Sequence, residues 1–297
     1  MFSFQSDLKQ IKSFIKNLES KEIQESDKER LIGMISPTIG IKTKPSEDQK
    51  LKLGTSKFGG KPDLPENYQW PDRNGKPMIF CAQYNLAELA KYDKDSKLPK
   101  HGLFYLFMAL DENDEFDSVN PDFNFLYLDS KKVKRTSFPS DLQDNYKLKA
   151  TDISYFQFYT IPDDENYKLN DLYEKYDDMY FHLYQPVEDY LEEKYFDYSE
   201  NYHQILGHDR AIQSSVVYDF AAKDLGIFLA ETEVIKKHKK ELLEISTKYE
   251  VLLQIFCDDP NNDMQRFFGY GVLYLGISKI DLEDKNFTSI KITYQGT

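Results

Sequence analysis

Apolar positions recur along the chain with two periods. Leu8, Ile11, Ile15 and Leu18 are spaced by three and four, the stripe of an amphipathic helix that is stable only when covered. Ser26 and Glu29 then form an S-x-x-E helix start ahead of Leu31, Ile32 and Ile35, with Pro37 as the stop. From Lys42 the composition turns to Gly, Pro and Lys, and a β-rich body is expected to follow. Residues 78–84 read as a buried strand, Asn85 as the N-cap of a short helix, and residues 103–110, 124–128 and 154–160 as further strands rich in Phe and Tyr. Residues 171–198 read as helical, interrupted or restarted at Pro186. A long helix over 231–248 precedes strands at 249–256, 272–277 and 289–294. Strands and helices come in clusters without strict alternation, which predicts an α+β fold with antiparallel strands dominant. The expected organisation is an N-terminal layer of two helices over 1–45 and a β-rich domain over 46–297.

The two halves of that domain are self-similar. Met78-Ile79-Phe80-Cys81-Ala82-Gln83 is an apolar run closed by Gln, as is Val251-Leu252-Leu253-Gln254. Gly102-Leu103-Phe104-Tyr105-Leu106 follows Gln83 at a spacing of nineteen, and Gly271-Val272-Leu273-Tyr274-Leu275 follows Gln254 at seventeen. Upstream, Phe58-Gly59-Gly60 is paired with Leu206-Gly207-His208. An internal duplication is therefore expected, with units at about 55–160 and 200–297.

These segments resemble the YwqG-like family of bacterial proteins, a domain of unknown function. The resemblance rests on SKFGGKPDLPENYQWP (56–71), PMIFCAQYNLAEL (77–89), LPKHGLFYLF (98–107), HQILGHDRAIQ (203–213), LLQIFCDD and GYGVLYLGISKIDLEDKNF. It implies a compact bacterial cytoplasmic protein with a duplicated β-rich unit, and it brings no established catalytic residues. Phe256-Cys257 and Phe268-Gly269-Tyr270 stand where relatives tend to carry polar groups.

The net charge of -13 and pI near 5.0 argue against nucleic acid as a partner and for attraction to a basic protein. Two basic clusters stand against that balance: Lys131, Lys132, Lys134 and Arg135, and Lys236, Lys237, Lys239 and Lys240. The second alternates with Glu231, Glu233, Glu241 and Glu244 as a solvated helix face would. The apolar runs are shorter than the ~20 residues of a membrane-spanning helix, and the interleaved charges of residues 1–16 do not read as an export signal. With Cys81 and Cys257 alone, no disulfide framework is expected and a reducing, cytoplasmic setting fits. Oligomeric state is left open.

No spaced metal-ligand set stands out among His101, His182, His203, His208 and His238, so neither a metal nor a cofactor is expected. Asp258, Asp259 and Asp263 lack calcium-loop spacing and read as an Asx turn closing a strand. Gly59 and Gly60 read as a sharp turn, because Pro62 removes a donor that a phosphate-binding loop would use. An enzyme therefore has little support. Two functional classes remain: a protein-binding module, immunity-like or regulatory, with an acidic aromatic-rich surface, and a small-ligand binder or enzyme with a cleft between the repeats. Asp63, His203, His208, Asp209 and Arg210 are the ligand-binding candidates, since the histidines flank a Gly turn beside charged neighbours. Acidic clusters at Asp111, Glu112, Asp114 and Glu115 and at Asp163, Asp164 and Glu165 are the surface candidates.

Overall fold

The computed structural model describes residues 4–19, 23–130, 132–196, 203–229 and 232–296; Met1, Lys131, Tyr198 and Glu231 lie outside them. Ten strands form one sheet, antiparallel at every pairing. In chain order they are β1 (Ser36–Pro45), β2 (Lys57–Phe58), β3 (Ile79–Asn85), β4 (Leu103–Met108), β5 (Phe123–Leu128), β6 (Thr151–Thr160), β7 (His203–Ile205), β8 (Tyr249–Phe256), β9 (Gly271–Ser278) and β10 (Lys291–Gly296). Across the sheet they stand β10-β9-β8-β7-β1-β6-β2-β3-β4-β5. The fold is α+β.

β1 pairs with β6 along its whole length, Ser36 opposite Thr160 and Pro45 opposite Thr151. The sheet therefore begins at Ser36, ahead of the boundary at 45/46 that composition suggests. Pro37 lies in this strand and does not directly end a helix. The strand's Lys and Pro residues hide its β character in the sequence, while Ile39 and Ile41, both 2% exposed, anchor it in the core.

The sheet curls until its ends nearly close into a barrel. Phe123 of edge strand β5 stacks on Phe268 at 6.0 Å, and Phe116 lies 4.6 Å from Phe268 and 5.2 Å from Tyr294 of the opposite edge strand β10. One core cluster fills the interior, joining residues such as Phe58, Leu106, Ile255 and Leu275.

Helix α1 (Phe4–Asn17) and helix α2 (Glu25–Gly33) bury Ile11, Ile15, Leu31 and Ile32 in a second cluster. They share it with Tyr159, Ile161 and helix α3 (Gln185–Tyr195). The S-x-x-E start is not used as a capping box. Helix α2 begins one residue before Ser26, after Gln24, which makes no side-chain cap. Asn85 does cap its helix, accepting the N–H of Ala87 at 2.9 Å. Helix α4 (Val216–Leu225), which the sequence reading did not assign, lays Val216, Val217 and Phe220 over Val251, Val272 and Tyr274. Helix α5 (Thr232–Ser246) carries surface pairs such as Lys236 with Glu233, the solvated face expected of that basic cluster.

Gln83 and Gln254 sit in matching surroundings. Each faces a tyrosine on the next strand, Tyr105 and Tyr274. The side-chain oxygen of Gln83 accepts the N–H of Asp63 at 2.8 Å, and Tyr105 donates to the Asp63 carbonyl at 2.6 Å. Correspondingly, Gln254 accepts the N–H of Arg210 at 3.0 Å, and Tyr274 donates to the Arg210 carbonyl at 2.7 Å. Cys81 accepts the N–H of Gly59 at 2.8 Å, as Leu252 accepts that of Leu206 at 3.0 Å. Gly59-Gly60 thus matches Leu206-Gly207, one residue away from the pairing that the sequence suggests.

Candidate functional site

The turn after β7 is tightly determined. Leu206 and Gly207 both adopt positive φ, +60° and +79°. A Cβ on Gly207 would stand 1.9 Å from Thr38 Oγ1, so only glycine fits. Beyond it, His208 donates its N–H to Thr160 Oγ1 at 2.8 Å, and its ring nitrogen Nε2 lies 2.7 Å from the Met34 carbonyl, which makes Nε2 the donor. Gln204 donates to the His208 carbonyl at 2.6 Å. The anchored backbone holds Asp209 between His208 and Arg210 against a small cavity.

The cavity encloses about 50 Å³. Asp209 and Asp163 line it together with Glu188 and Glu192 of α3, and the rings of Phe158, Tyr184 and Phe196 complete the wall. Asp163 accepts the N–H of Ala211 at 3.1 Å and that of Glu165 at 3.2 Å. Arg210 is paired with Glu192 at the rim. Asp209 is 5% exposed and its Oδ2 has no hydrogen-bond partner.

Burial dominates the electrostatics here. It pushes the Asp163 carboxyl up to about 8, helped by the charge of Asp209, and that of Asp209 up to about 6. Glu188 is also raised, again chiefly by burial. His208 is pushed down to about 3 by burial and then by the charge of Lys168, so its ring is neutral at physiological pH.

His208, Asp209 and Arg210 therefore meet in one place, whereas Asp63 and His203 do not join them. Asp63 is fully buried in a separate polar cluster. It accepts the N–H of Gly54 at 2.9 Å, Gln83 Nε2 at 2.9 Å and Arg135 Nε at 2.5 Å. Neighbouring Lys57 has its ammonium pKa lowered by burial against the opposing charges of Asp63 and Asp48. Arg135, read from sequence as part of a basic surface cluster, is a member of this internal network. His203 lies 3.0 Å from Asp259 through Nε2, accepts the N–H of Phe256 through Nδ1 at 3.1 Å, and rests on the Phe58 ring. The polar atoms of both side chains are taken up by partners elsewhere in the chain. Asp259 also accepts the N–H of Asn261 at 2.9 Å, the Asx turn expected there.

Glu188 and Glu192 belong to no motif in the sequence, and the only local signal they give is the i, i+4 spacing that puts them on one face of α3. The sequence reading placed Asp163 on an exposed acidic surface, yet this residue is 8% exposed and faces the cavity. Among the described residues, no group of three or more His, Cys, Asp or Glu side chains is placed to hold a metal ion.

Larger openings lie elsewhere. One groove, of about 650 Å³, has Met78, Ile79, Met108 and Leu142 at its floor and Asp111, Glu112, Asp114, Asp117, Asp122 and Asp141 around it. Its cations Arg73 and Lys76 are paired with Asp122 at 2.7 Å and with Asp114 at 2.8 Å. A cleft of about 830 Å³ lies between residues 118–120, which lead into β5, and residues 293–296 of β10, with Asp219, Ala222 and Lys223 of α4 and the chain just after that helix along one side.

Fold and site together define an α+β protein built on one curled antiparallel sheet, with a carboxylate-lined cavity on its outside. No helix among the described residues is long and apolar enough to cross a membrane. The chain belongs to the family described as Domain of unknown function (DUF1963), which it matches over residues 56–296. No curated protein matches it.

Proposed function

We propose that this protein is a protein-binding module, regulatory or immunity-like, which holds a basic segment of a partner in the groove around Met78 and Met108. The observation that carries this reading is the groove's charge. Six carboxylates stand against two cations, and both cations are already paired within it. The apolar side chains at the floor are already packed into the core, so the acidic rim supplies attraction and orientation. Association of a fluorescent Lys/Arg-rich peptide with the wild-type protein and with Glu112→Lys/Asp141→Lys, at low and high salt, tests it. Binding that ignores both the reversal and the salt overturns it.

A cytoplasmic setting is part of the proposal, supported by two buried free thiols, Cys81 and Cys257, whose pKa values burial raises. Duplication of an ancestral unit is also inferred, and the matched hydrogen bonds of Gln83 and Gln254 support it. On that inference the cleft between 118–120 and 293–296 lies between the two units. Its size, within the roughly 300–1,000 Å³ of ligand pockets, favours a second reading as a small-ligand site. Saturable chemical-shift changes confined to those residues in a fragment screen would support that reading, and none would end it.

A further inference from the structure

The cavity under the 206–210 turn contains an acceptor with nothing to accept. Asp209 Oδ2 is buried and receives no hydrogen bond from the backbone or from another side chain. The other polar groups around it are carboxyl oxygens or are occupied: both oxygens of Asp163 take backbone N–H groups, Glu188 and Glu192 bring carboxyl oxygens, Arg210 is held by Glu192, and His208 has given its Nε2–H to Met34. Burial raises both carboxyls, that of Asp163 with the charge of Asp209 beside it, and the charge of Lys168 offsets only part of the rise at Asp209.

What fits is small, positively charged and rich in N–H. A space of about 50 Å³ suits a small head group whose remainder lies outside the cavity. The aromatic walls favour a cation, which the faces of Phe158, Tyr184 and Phe196 attract. An ammonium head presents three donors in a compact group, whereas a guanidinium is a broader plane. We propose that this cavity binds the primary ammonium group of an amine, with Asp209 Oδ2 accepting one of its N–H bonds and the alkyl chain leaving past the rings. This inference is independent of the groove reading.

The test is a titration with n-butylammonium chloride, followed by the amide chemical shifts of residues 206–211. Saturable shifts are expected, absent with tetramethylammonium, which has no N–H to donate. Asp209→Asn keeps an acceptor oxygen for the N–H of Val216, and Glu188→Gln changes a half-buried helix position; each should weaken binding about tenfold or more while the melting temperature is kept. If Nα-acetyl-lysine amide binds more tightly than n-butylammonium, the ligand is a lysine side chain; the reverse order indicates a free amine. No saturation by either below about 100 mM, equal binding of tetramethylammonium, or unchanged affinity in both variants overturns the proposal.

Discussion

His203 and Asp259 form a buried pair, Nε2 to Oδ2 at 3.0 Å, with the histidine's other nitrogen fixed by the N–H of Phe256. Burial raises the Asp259 pKa, but the hydrogen bonds it receives, that from His203 foremost and that from Asn261 beside it, outweigh burial and bring the value below the usual carboxylate range. With both residues buried, the arrangement fastens the strand end after β8 to β7. His203→Ala should cost about 3 kcal/mol in denaturant unfolding, because it strands a buried carboxylate. Since the folded pKa of Asp259 is depressed, its contribution is present above about pH 4 and lost as pH falls through the folded value. A wild-type-like unfolding midpoint for His203→Ala would refute this assignment.

Asp163 makes stability decline as the medium turns alkaline. Its pKa is about 8 in the fold against 3.8 unfolded, so its contribution is full below 3.8 and lost as pH rises to 8. Asp209 acts in the same sense only up to about 6. His208 acts oppositely, its contribution being full above 6.5 and lost as pH falls from 6.5 to about 3. Between pH 6.5 and 8 the Asp163 effect stands largely alone, and stability should fall by up to about 1.4 kcal/mol per pH unit. Chemical denaturation across that window should show the slope in the wild type and a flatter line in Asp163→Asn.

Gly207 and Gly33 should respond oppositely to alanine. At Gly207 the new methyl meets Thr38 and the backbone is left-handed, so a loss of about 2 kcal/mol or more is expected. Gly33 ends α2 with nothing within 4 Å of a Cβ, so alanine there should be neutral or stabilising by up to about 1 kcal/mol. Thermal melts of the two variants decide it.

In the acidic groove, the carboxylates differ in what else they do. Asp111 accepts the N–H groups of Asn113 and Glu115, and Asp117 those of Val119 and Asn120, so both shape their loops. Glu112 and Asp141 are exposed at the rim. Reversing these two should slow association with a basic peptide about tenfold at low salt, and the difference should shrink as the Debye length falls from about 10 Å at 0.1 M to about 3 Å at 1 M. Stopped-flow rates measure this, and the melting temperature should stay within a few degrees.

Local signals on their own located a good part of the fold. The period of three and four from Leu8 to Leu18 marked α1, the apolar runs before Gln83 and Gln254 marked β3 and β8, and Asn85 marked a helix start, because each depends on neighbours a few residues away. The same rule failed at Ser36–Pro45, whose Lys and Pro residues suggest a loop until β6 and β7 pair with either side. Arg135, Asp63 and His203 looked available from sequence, and long-range hydrogen bonds consumed all three. The cavity itself was beyond any local reading. Asp163 and Asp209 come from distant parts of the chain, Glu188 from a helix between them, and only the packing of α3 against the end of β6 gathers them. Their altered acidity follows from that burial, since desolvation penalises the charged carboxylate by more than the neighbouring charges and hydrogen bonds recover.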